Sequence, residues 1–407
     1  MVPSGEDLSS AGRRVGAVAE DGRRERIKNK GGLKNHIRRR LVCFCGGAAG
    51  EHREAVGGGI PQMGGGEIDR APTHLVIMVN GIIGSAQNWR FAEKQFLKRL
   101  PQDVTVHRSR CNGNLLTLDG VDVMGTRLAE EVLSIVKQGP KLQKISFVGH
   151  SLGGLIARYA IAKLYDPGLP EKPSEEDGSH EDPDKGTKRL KKGSEGKIAG
   201  LEPMNFVTFA TPHVGSRWHR QIPMLCGVRL LEKTARRSSR ILGRTGRHLF
   251  LDDNDMGRPP LLVQMVKDSD DLHFISALRS FRRLVAYSNV RFDHIVGWNT
   301  SSIRHQDERP KLKAHTKISG YRHIVRVEPP KAVNIEQDAS LDFDMKTNEL
   351  QEAMIDSLNK VPWERVDVSF HKTIQRFMAH ETIQVKTRCL NSAGADVISH
   401  MIDNFLL

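Results

Sequence analysis

The sequence predicts an α/β protein with a mostly parallel central sheet flanked by helices. Short apolar stretches typical of buried strands alternate with amphipathic stretches typical of helices from about residue 73 onwards, and this alternation is the pattern of βαβ units. The connections between them have lengths that suit such units. A chain of 407 residues, of which 38% are hydrophobic, can hold one large α/β domain with insertions or two ordinary domains.

Six segments near the start of this region alternate strictly between strand and helix patterns. In chain order, beginning with a strand, they cover residues 74–81, 88–100, 104–111, 125–139, 144–151 and 152–164. The helical segments carry apolar residues at spacings of three and four, as Trp89, Ala92 and Phe96 do in the first of them. Gly81 is expected to stop the first strand, and Gly139 to close the second helix.

Strand patterns return after a long polar interruption. They cover residues 204–216, 282–290 and 365–370. The terminal stretch 395–407 is helical, because Ile398, Met401, Ile402 and Phe405 lie in phase on one helix face. Residues 301–360 are rich in loop-forming residues, and their pattern is ambiguous.

Three segments stand apart from this alternation. Residues 1–72 are Gly-rich and charged and are predicted to be a disordered basic tail, so the α/β domain should cover residues 73–407. Residues 166–200 contain Pro, Gly and charges without apolar periodicity, which predicts a disordered charged insertion. Residues 217–283 show helical patterns with basic and apolar faces and are predicted to form a cap-like region.

The net charge of the chain is +14, and the most basic run lies in the tail, where residues 11–40 contain eleven Arg or Lys against three acids. Such a run suits peripheral contact with an anionic membrane, and it equally suits a solvated, disordered tail. A nucleic-acid partner is not expected, because no recognition motif accompanies the charge.

Several classes of protein are excluded by what the sequence lacks. No run of 18 apolar residues predicts a membrane-spanning helix, and the first residues have no apolar core of a secretory signal. Five scattered cysteines favour reduced thiols in an intracellular, cytoplasmic protein, although the abundance of Arg also fits a plastid transit peptide. No cofactor or metal is expected, since Cys43-Phe44-Cys45 is too short for a zinc site.

The stretch SFVGHSLGGLIARY, residues 146–159, contains a G-x-S-x-G motif centred on Ser151. The motif alone is weak evidence in a chain with 38 glycines. Its context is more specific, because a strand pattern runs straight into the motif and a helix pattern follows, as a nucleophile elbow requires. The positive end of the helix dipole would also lie beside the serine, where negative charge develops during the reaction. We therefore predict that Ser151 is a nucleophile and not part of an ordinary turn.

An oxyanion hole should combine the residue after the nucleophile with an earlier strand-end loop. The stretch VNGIIGSAQNW, residues 79–89, offers a strand end, a glycine and then backbone amides before a helix. The predicted donors are the amides of Ile82 and Leu152. The alternative is that Gly81 and Gly84 merely turn the chain.

In folds with this elbow, the acid and the histidine follow the serine in the chain. Asp293 lies just past the strand pattern 282–290, at a strand end where catalytic groups gather, and is the predicted acid. Its rivals precede a helical pattern and suit helix capping and first-turn charge; they are Asp268, Asp270 and Asp271.

The base must be one of the later histidines, and the serious candidates are His323, His371, His380 and His400. His400 lies in the terminal helix off its apolar face, so it is expected at the surface. His371 follows the strand 365–370 with no room for a loop to swing it over the serine. His380 lies nine residues further on, in a stretch that suits such a loop, so His380 is the predicted base and His371 the second choice.

These residues lie in longer strings that resemble a known family; the strings include GHSLGG, ATPHVGS, GRHLFL, DHIVGW and AHETIQV. Over about residues 73–407 the chain resembles the plant branch of the "putative serine esterase" family, which are lipase-like α/β-hydrolases. The resemblance implies an α/β-hydrolase fold and hydrolysis of acyl esters, with lipids such as monoacylglycerols as substrates of relatives. It also implies the same roles for Ser151, Asp293 and His380. Many lipases have His where this chain has Asn80, so no side-chain role carries over there.

Three function classes compete. The leading hypothesis is hydrolysis of a small-molecule ester or lipid by a Ser-His-Asp triad through an acyl-enzyme. The second is a catalytically silent hydrolase-fold protein that binds or regulates, and the third is nucleic-acid binding. In the cap-like region, the stretch IPMLCGVRLL suits an apolar wall for an acyl chain and equally suits ordinary core packing.

Overall fold

A computed structural model describes residues 71–168, 196–216, 242–254, 257–310, 320–331 and 347–407. In these ranges the strands are β1 (His74–Val79), β2 (Val104–Arg108), β3 (Lys144–His150), β4 (Tyr165–Asp166), β5 (Lys197–Ile198), β6 (Glu202–Phe209), β7 (Arg283–Asn289), β8 (Ile324–Glu328) and β9 (Trp363–Val368). The α-helices are α1 (Arg90–Arg99), α2 (Val121–Gln138), α3 (Leu152–Leu164), α4 (Gly243–Leu249), α5 (Leu261–Gln264), α6 (Phe274–Arg279), α7 (Trp298–Ser302), α8 (Thr347–Leu358), α9 (Ala379–Thr382) and α10 (Ala395–Asp403).

Seven strands form one twisted sheet in the order β2-β1-β3-β6-β7-β9-β8. Every neighbouring pair is parallel except β8 and β9, which are antiparallel. The short strands β4 and β5 pair separately as an antiparallel ribbon. The prediction of a mostly parallel sheet flanked by helices is confirmed, and with the nucleophile-elbow connection this is the α/β-hydrolase fold.

The central strands are apolar along their whole length because both faces of the sheet are covered. All six residues of β1 are buried, and their side chains alternate between two apolar clusters. Leu75, Ile77 and Val79 pack in the cluster that contains the apolar faces of α2 and α3. Val76 and Met78 pack on the other face of the sheet, with residues of α1 and α10.

The parallel order brings several loops to one edge of the sheet. The carboxyl ends of β1, β3, β7 and β9 all point the same way, and the loops that follow them carry Ile82, Ser151, Asp293 and His380 respectively. Such an edge is where open α/β sheets bind ligands. The fold therefore accounts for the proximity of residues that lie far apart in the sequence.

Most predicted elements agree with the structure to within a few residues, but the strand pattern 204–216 forms a strand only over Glu202–Phe209. The helix at 152–164 is α3, while the helix at 125–139 begins earlier, as α2 at Val121. The helix predicted at 88–100 is a short 3₁₀ turn, Ala86–Trp89, continued by α1. The ambiguous stretch 301–360 contains two elements that the sequence patterns left unassigned, β8 and α8.

The segments predicted to stand apart are described only in part. The tail lies outside the described residues except for positions 71 and 72, and the insertion 166–200 is described only at its ends, around the β4–β5 ribbon. In the cap-like region 217–283, the apolar stretch IPMLCGVRLL also lies outside the described residues. The described remainder contains α4, α5 and α6, whose apolar residues join the same core cluster as α3. Within the described ranges, no helix combines the length and apolarity needed to cross a membrane.

Candidate active site

Ser151 occupies the sharp turn between β3 and α3 with φ 54° and ψ −128°. A positive φ is strained for a non-glycine residue. The turn also requires very close backbone packing, because a Cβ on Gly149 would lie 2.6 Å from the Cα of Gly154. A small residue is therefore needed beside the serine, and the geometry is that of a nucleophile elbow.

The loop after β1 approaches the elbow closely, because a Cβ on Gly81 would lie 2.9 Å from the Cβ of Ser151. The next residue, Ile82, and the first residue of α3, Leu152, both present backbone N–H groups near this point. Neither amide donates a hydrogen bond within the part of the chain that the structure describes. One free donor at the N-terminus of α3 and one in the loop after β1 suit the binding of a developing oxyanion.

Side chains hold the β1 loop in place. The Nδ2 of Asn80 donates to the carbonyl oxygens of Asn112, at 3.0 Å, and of Gly81, at 3.1 Å. The Ile83 amide donates to the Thr117 hydroxyl at 2.8 Å. Asn80 is buried, so its hydrogen bonds fix the backbone on which Ile82 lies.

Asp293 lies in the loop after β7 and accepts four hydrogen bonds. Its Oδ2 accepts from His380 Nδ1 at 3.0 Å and from Asn289 Nδ2 at 2.9 Å. Its Oδ1 accepts from the backbone amides of Ile295, at 3.1 Å, and Val296, at 2.9 Å. The carboxylate is therefore fixed in orientation and satisfied on both oxygens.

His380 lies at the start of the short helix α9 and is held from two sides. Its Nδ1 faces the ionised carboxylate of Asp293, which can only accept, so Nδ1 carries the proton and Nε2 is free to act as a base. Its carbonyl oxygen accepts a hydrogen bond from His150 Nε2 at 2.7 Å, and the two imidazole centroids are 4.7 Å apart. Because His150 precedes Ser151 directly, these contacts anchor His380 beside the elbow. No hydrogen bond joins Ser151 to His380 in the described structure.

The electrostatics of the site follow from these contacts. Burial lowers the pKa of His380, but the charge and hydrogen bond of Asp293 outweigh burial, and the pKa is raised above its ordinary value. Burial raises the pKa of Asp293, but the charge of His380 and several hydrogen bonds outweigh burial. The pKa is therefore lowered below its ordinary value, and the carboxyl is ionised. Burial and then the charge of His380 hold the pKa of His150 well below its usual range. His150 is therefore neutral and donates through Nε2.

The other candidate residues have structural partners elsewhere. The Nδ1 of His371 lies 3.1 Å from the Ser369 hydroxyl, and the Nδ1 of His323 lies 2.8 Å from Asp396. Among the rival acids, Asp268 accepts from the amides of the first turn of α6, at 2.7 and 3.1 Å, as the capping interpretation predicts. Asp270 and Asp271 are exposed.

The expectation that His400 lies at the surface is wrong. His400 is buried, and its Nδ1 lies 2.8 Å from the hydroxyl of Tyr287 on β7. The ring of Tyr321 covers it from another side, with centroids 4.8 Å apart. The flank of α10 beside its apolar stripe thus also packs against protein, which the helical periodicity does not show.

Three residues of the site received no role from the sequence. His150 lies in the variable position of the G-x-S-x-G motif, Asn289 is the last residue of β7, and Asn80 follows β1. Their position at strand ends is a signal that they share with the predicted residues. Their partners, however, lie on other loops, up to 230 positions away in the chain. In the described ranges, no group of three or more His, Cys, Asp or Glu side chains is arranged to hold a metal ion.

Residues 69–303 match the family described as "Putative serine esterase (DUF676)". In Saccharomyces cerevisiae, "Putative lipase ROG1" is 29% identical over 259 residues, which cover 60% of this chain and 32% of that protein. In Schizosaccharomyces pombe, "Putative lipase C4A8.10" is 26% identical over 244 residues, which cover 57% and 26%. The match therefore spans about a third or less of the length of these relatives.

The solved structures that match this chain have low sequence identity to it. The mature Bacillus licheniformis lipase BlEst2 is 12% identical with a TM-score of 0.31, covering 57% of this chain and 70% of its own. An extracellular α/β-hydrolase from a Paenibacillus species is 12% identical with a TM-score of 0.31, covering 76% and 98%. The family match covers more than half of the sequence, with the Ser151 elbow inside it, and this chain belongs to the family described as "Putative serine esterase (DUF676)".

Proposed function

We propose that this protein is a lipase-like serine esterase that hydrolyses carboxylic acyl esters, with lipid-type esters such as monoacylglycerols as substrates. The observation that carries the proposal is the strained Ser151 elbow at the same sheet edge as the buried Asp293–His380 pair. A strained serine costs stability and persists where the fold over-determines it, which is typical of functional sites. The family membership and the similarity to yeast proteins named as lipases support the same class of reaction.

The residues suggest a two-step acyl transfer. His380 Nε2 takes the proton of the Ser151 hydroxyl while Oγ attacks the acyl carbon, and the carbonyl oxygen becomes an oxyanion that accepts hydrogen bonds from the Ile82 and Leu152 amides. His380 then gives its proton to the leaving alcohol oxygen as the ester C–O bond breaks. Water attacks the acyl-enzyme with the same base, which releases the carboxylic acid and restores the Ser151 hydroxyl.

Asp293 has two tasks in this scheme. It fixes the tautomer of His380 with Nε2 unprotonated, and its negative charge stabilises the imidazolium that forms in each step. The pair is buried, with side chains 7% and 3% exposed for His380 and Asp293. Low exposure strengthens the interaction between the two charges.

A fluorophosphonate label tests the proposal directly. Attack by Ser151 Oγ on the phosphorus displaces fluoride and leaves a stable phosphonyl adduct. Mass spectrometry of a digest should therefore find the adduct on the peptide that contains Ser151. If circular dichroism shows that the protein is folded and the label still does not attach, Ser151 is not an activated nucleophile.

A catalytically silent hydrolase-fold protein is the second candidate. The observation that favours it is the missing Ser151–His380 hydrogen bond. Catalytic hydrogen bonds are often long or poorly aligned before substrate binds, so this observation alone does not outweigh the rest of the site. A protein that neither takes the label nor turns over short-chain esters would belong to this second class.

Replacing Asp293 with asparagine should change both the rate and its pH dependence. The kcat/KM of the unmodified protein should rise with pH as His380 loses its proton, with a midpoint above the ordinary imidazole value of about 6.5, because Asp293 raises that pKa. In Asp293→Asn the charge is gone, so the midpoint should move to lower pH. The plateau rate should fall by roughly 10⁴, as in a serine protease with this change. The measurement is kcat/KM against pH for a soluble ester.

The matched control for this experiment is Asp268→Asn, which neutralises a carboxylate that caps α6. Its pH profile should coincide with that of the unmodified protein. An Asp293→Asn profile with an unchanged midpoint would show that His380 does not titrate in the rate-limiting step.

The basic tail is proposed to contact anionic membranes and not to take part in the chemistry. A chain that begins at Thr73 retains Ser151, Asp293, His380 and both oxyanion amides, so its turnover of a soluble ester should match that of the full chain. Its binding to anionic vesicles should weaken, since each Lys or Arg near such a surface contributes about 1 kcal/mol. Vesicle sedimentation at rising salt measures this, because screening at 0.15 M acts over about 8 Å. Equal binding of both chains at low salt would contradict the proposal.

Three further properties of the protein are proposed. They are the place of the chain in the plant branch of the family, an intracellular location, and a role of residues 217–283 in covering the site.

A further inference from the structure

The catalytic edge of the sheet exposes an unusual share of large apolar side chains. Seven of the twelve large hydrophobic residues that are exposed in the described part of the chain lie in the loops of this edge. The most exposed of the seven form what we call the apolar rim: Ile83 at 57%, Leu115 at 71%, Leu116 at 47%, Ile295 at 51%, Ile374 at 85% and Phe377 at 61%. Single exposed apolar residues are ordinary, but a group of them on one face marks an interaction surface.

Members of the rim are chain neighbours of the proposed catalytic groups. Ile83 follows the oxyanion residue Ile82, and Ile295 donates its amide to Asp293. Phe377 lies three residues before His380, in the 3₁₀ turn Ile374–Met378. The rim therefore borders the place where an ester must enter.

Contacts tie the loops of the rim together. The amide of Asn114, just before Leu115, donates to the Gly84 carbonyl at 2.8 Å, which joins the β1 loop to the loop after β2. The ring of Phe377 lies 6.4 Å from the ring of Phe292, next to Asp293. The rim thus consists of neighbouring loops on one side of the molecule.

The charge around the rim is positive. In residues 371–390, four Lys and Arg stand against one acid, Glu381. The guanidinium of Arg376 lies 4.8 Å above the ring of Phe377 and 5.4 Å above that of Phe292. Apolar and aromatic side chains flanked by basic groups match the boundary between acyl chains and anionic headgroups.

We propose that the apolar rim docks the catalytic edge onto an anionic phospholipid surface. The apolar side chains enter the boundary between headgroups and acyl chains, and the flanking cations contact the headgroup phosphates. This inference rests on the proposed function for its purpose, since docking would bring lipid esters to Ser151. It differs from the contact proposed for the tail, because it assigns a surface of the folded domain and depends on apolar burial, which salt does not screen.

Sedimentation with vesicles tests the proposal on the full chain. All proteins carry Ser151→Ala, so that no lipid is hydrolysed and the result does not depend on catalysis. The test variant adds Ile374→Ser and Phe377→Ser. The matched control adds Leu97→Ser and Leu133→Ser, which remove two exposed leucines of α1 and α2. The vesicles contain phosphatidylcholine with or without phosphatidylglycerol, and high salt suppresses binding by the tail.

With phosphatidylglycerol vesicles at high salt, the rim variant should bind at least about tenfold more weakly than its parent. The control variant should bind like the parent. At low salt, where charges are not screened, the parent should bind vesicles of phosphatidylcholine alone less than vesicles that contain phosphatidylglycerol. Equal binding of rim variant and parent, or an equal loss in the control variant, would overturn the proposal. Analytical sedimentation of the protein without vesicles tests whether a second copy of the chain binds the rim instead. If the parent does not bind vesicles but forms a dimer, and the rim variant is a monomer, the rim is a self-association surface. Residual esterase activity of Ser151→Ala would refute the proposed function without affecting this result.

Discussion

Replacing Ser151 with alanine should abolish ester hydrolysis while the protein stays folded. In a serine protease, loss of the nucleophile lowers kcat by a factor on the order of 10⁶, so any remaining rate should be close to background. The effect is this large because the acyl-enzyme route disappears altogether, and only binding and the oxyanion amides remain. Initial rates on a soluble short-chain ester measure it.

The variant should fold because the hydroxyl contributes no hydrogen bond to the described structure. Alanine keeps the β-carbon and the same strained backbone at φ 54°, so the thermal midpoint should change little. Ser134→Ala, on the exposed surface of α2, is the control for a serine without a catalytic role and should keep full activity. If Ser151→Ala turns over at the unmodified rate, the proposed mechanism is wrong.

The parts of the site that could be predicted from the sequence are those with local causes. The elbow is one of them, because the strand, the glycines and the helix that strain Ser151 are adjacent in the chain. Asp293 follows a clear strand pattern, and the rule that catalytic groups gather at strand carboxyl ends then selects it. The fold class follows from the same patterns, since a run of apolar strands separated by amphipathic helices has few other solutions.

The parts that could not be predicted depend on contacts between distant segments. The hydrogen bond from His150 to the His380 carbonyl joins loops 230 residues apart, and nothing in either stretch indicates it. The buried position of His400 likewise depends on Tyr287, which lies on another element. An amphipathic pattern shows which face of a helix is most apolar, but not how much of its flank the neighbours cover.

Two elements of the stretch 301–360 were missed for different reasons. Strand β8 is an edge strand of five residues with only its first two residues buried, so it lacks both the apolar run and the clean alternation that indicate a strand. Helix α8 did carry a signal, because Leu350, Met354, Ile355 and Leu358 are buried at helical spacing. The surrounding loop-forming residues obscured it.

The second large effect is expected for His380, and it separates the two histidines that the sequence left as candidates. His380→Ala should lower kcat about as much as Ser151→Ala, since removing either member of the serine–histidine pair costs on the order of 10⁶ in a serine protease. His371→Ala should be much milder. The imidazole of His371 contacts the Ser369 hydroxyl at 3.1 Å, whereas the Nδ1 of His380 is paired with Asp293 at 3.0 Å.

Both variants should fold for a comparable reason. The main-chain contacts of these residues do not need their side chains: the carbonyl of His371 accepts from Arg376 at 3.1 Å, and that of His380 accepts from His150 at 2.7 Å.

The decisive measurement is kcat for the two variants side by side, with thermal midpoints to confirm folding and with added imidazole to replace a missing base. Imidazole should restore part of the rate to His380→Ala and none to His371→Ala. The opposite ranking, with His371→Ala near background and His380→Ala active, would transfer the role of base to His371 and leave the Asp293–His380 pair as a structural contact.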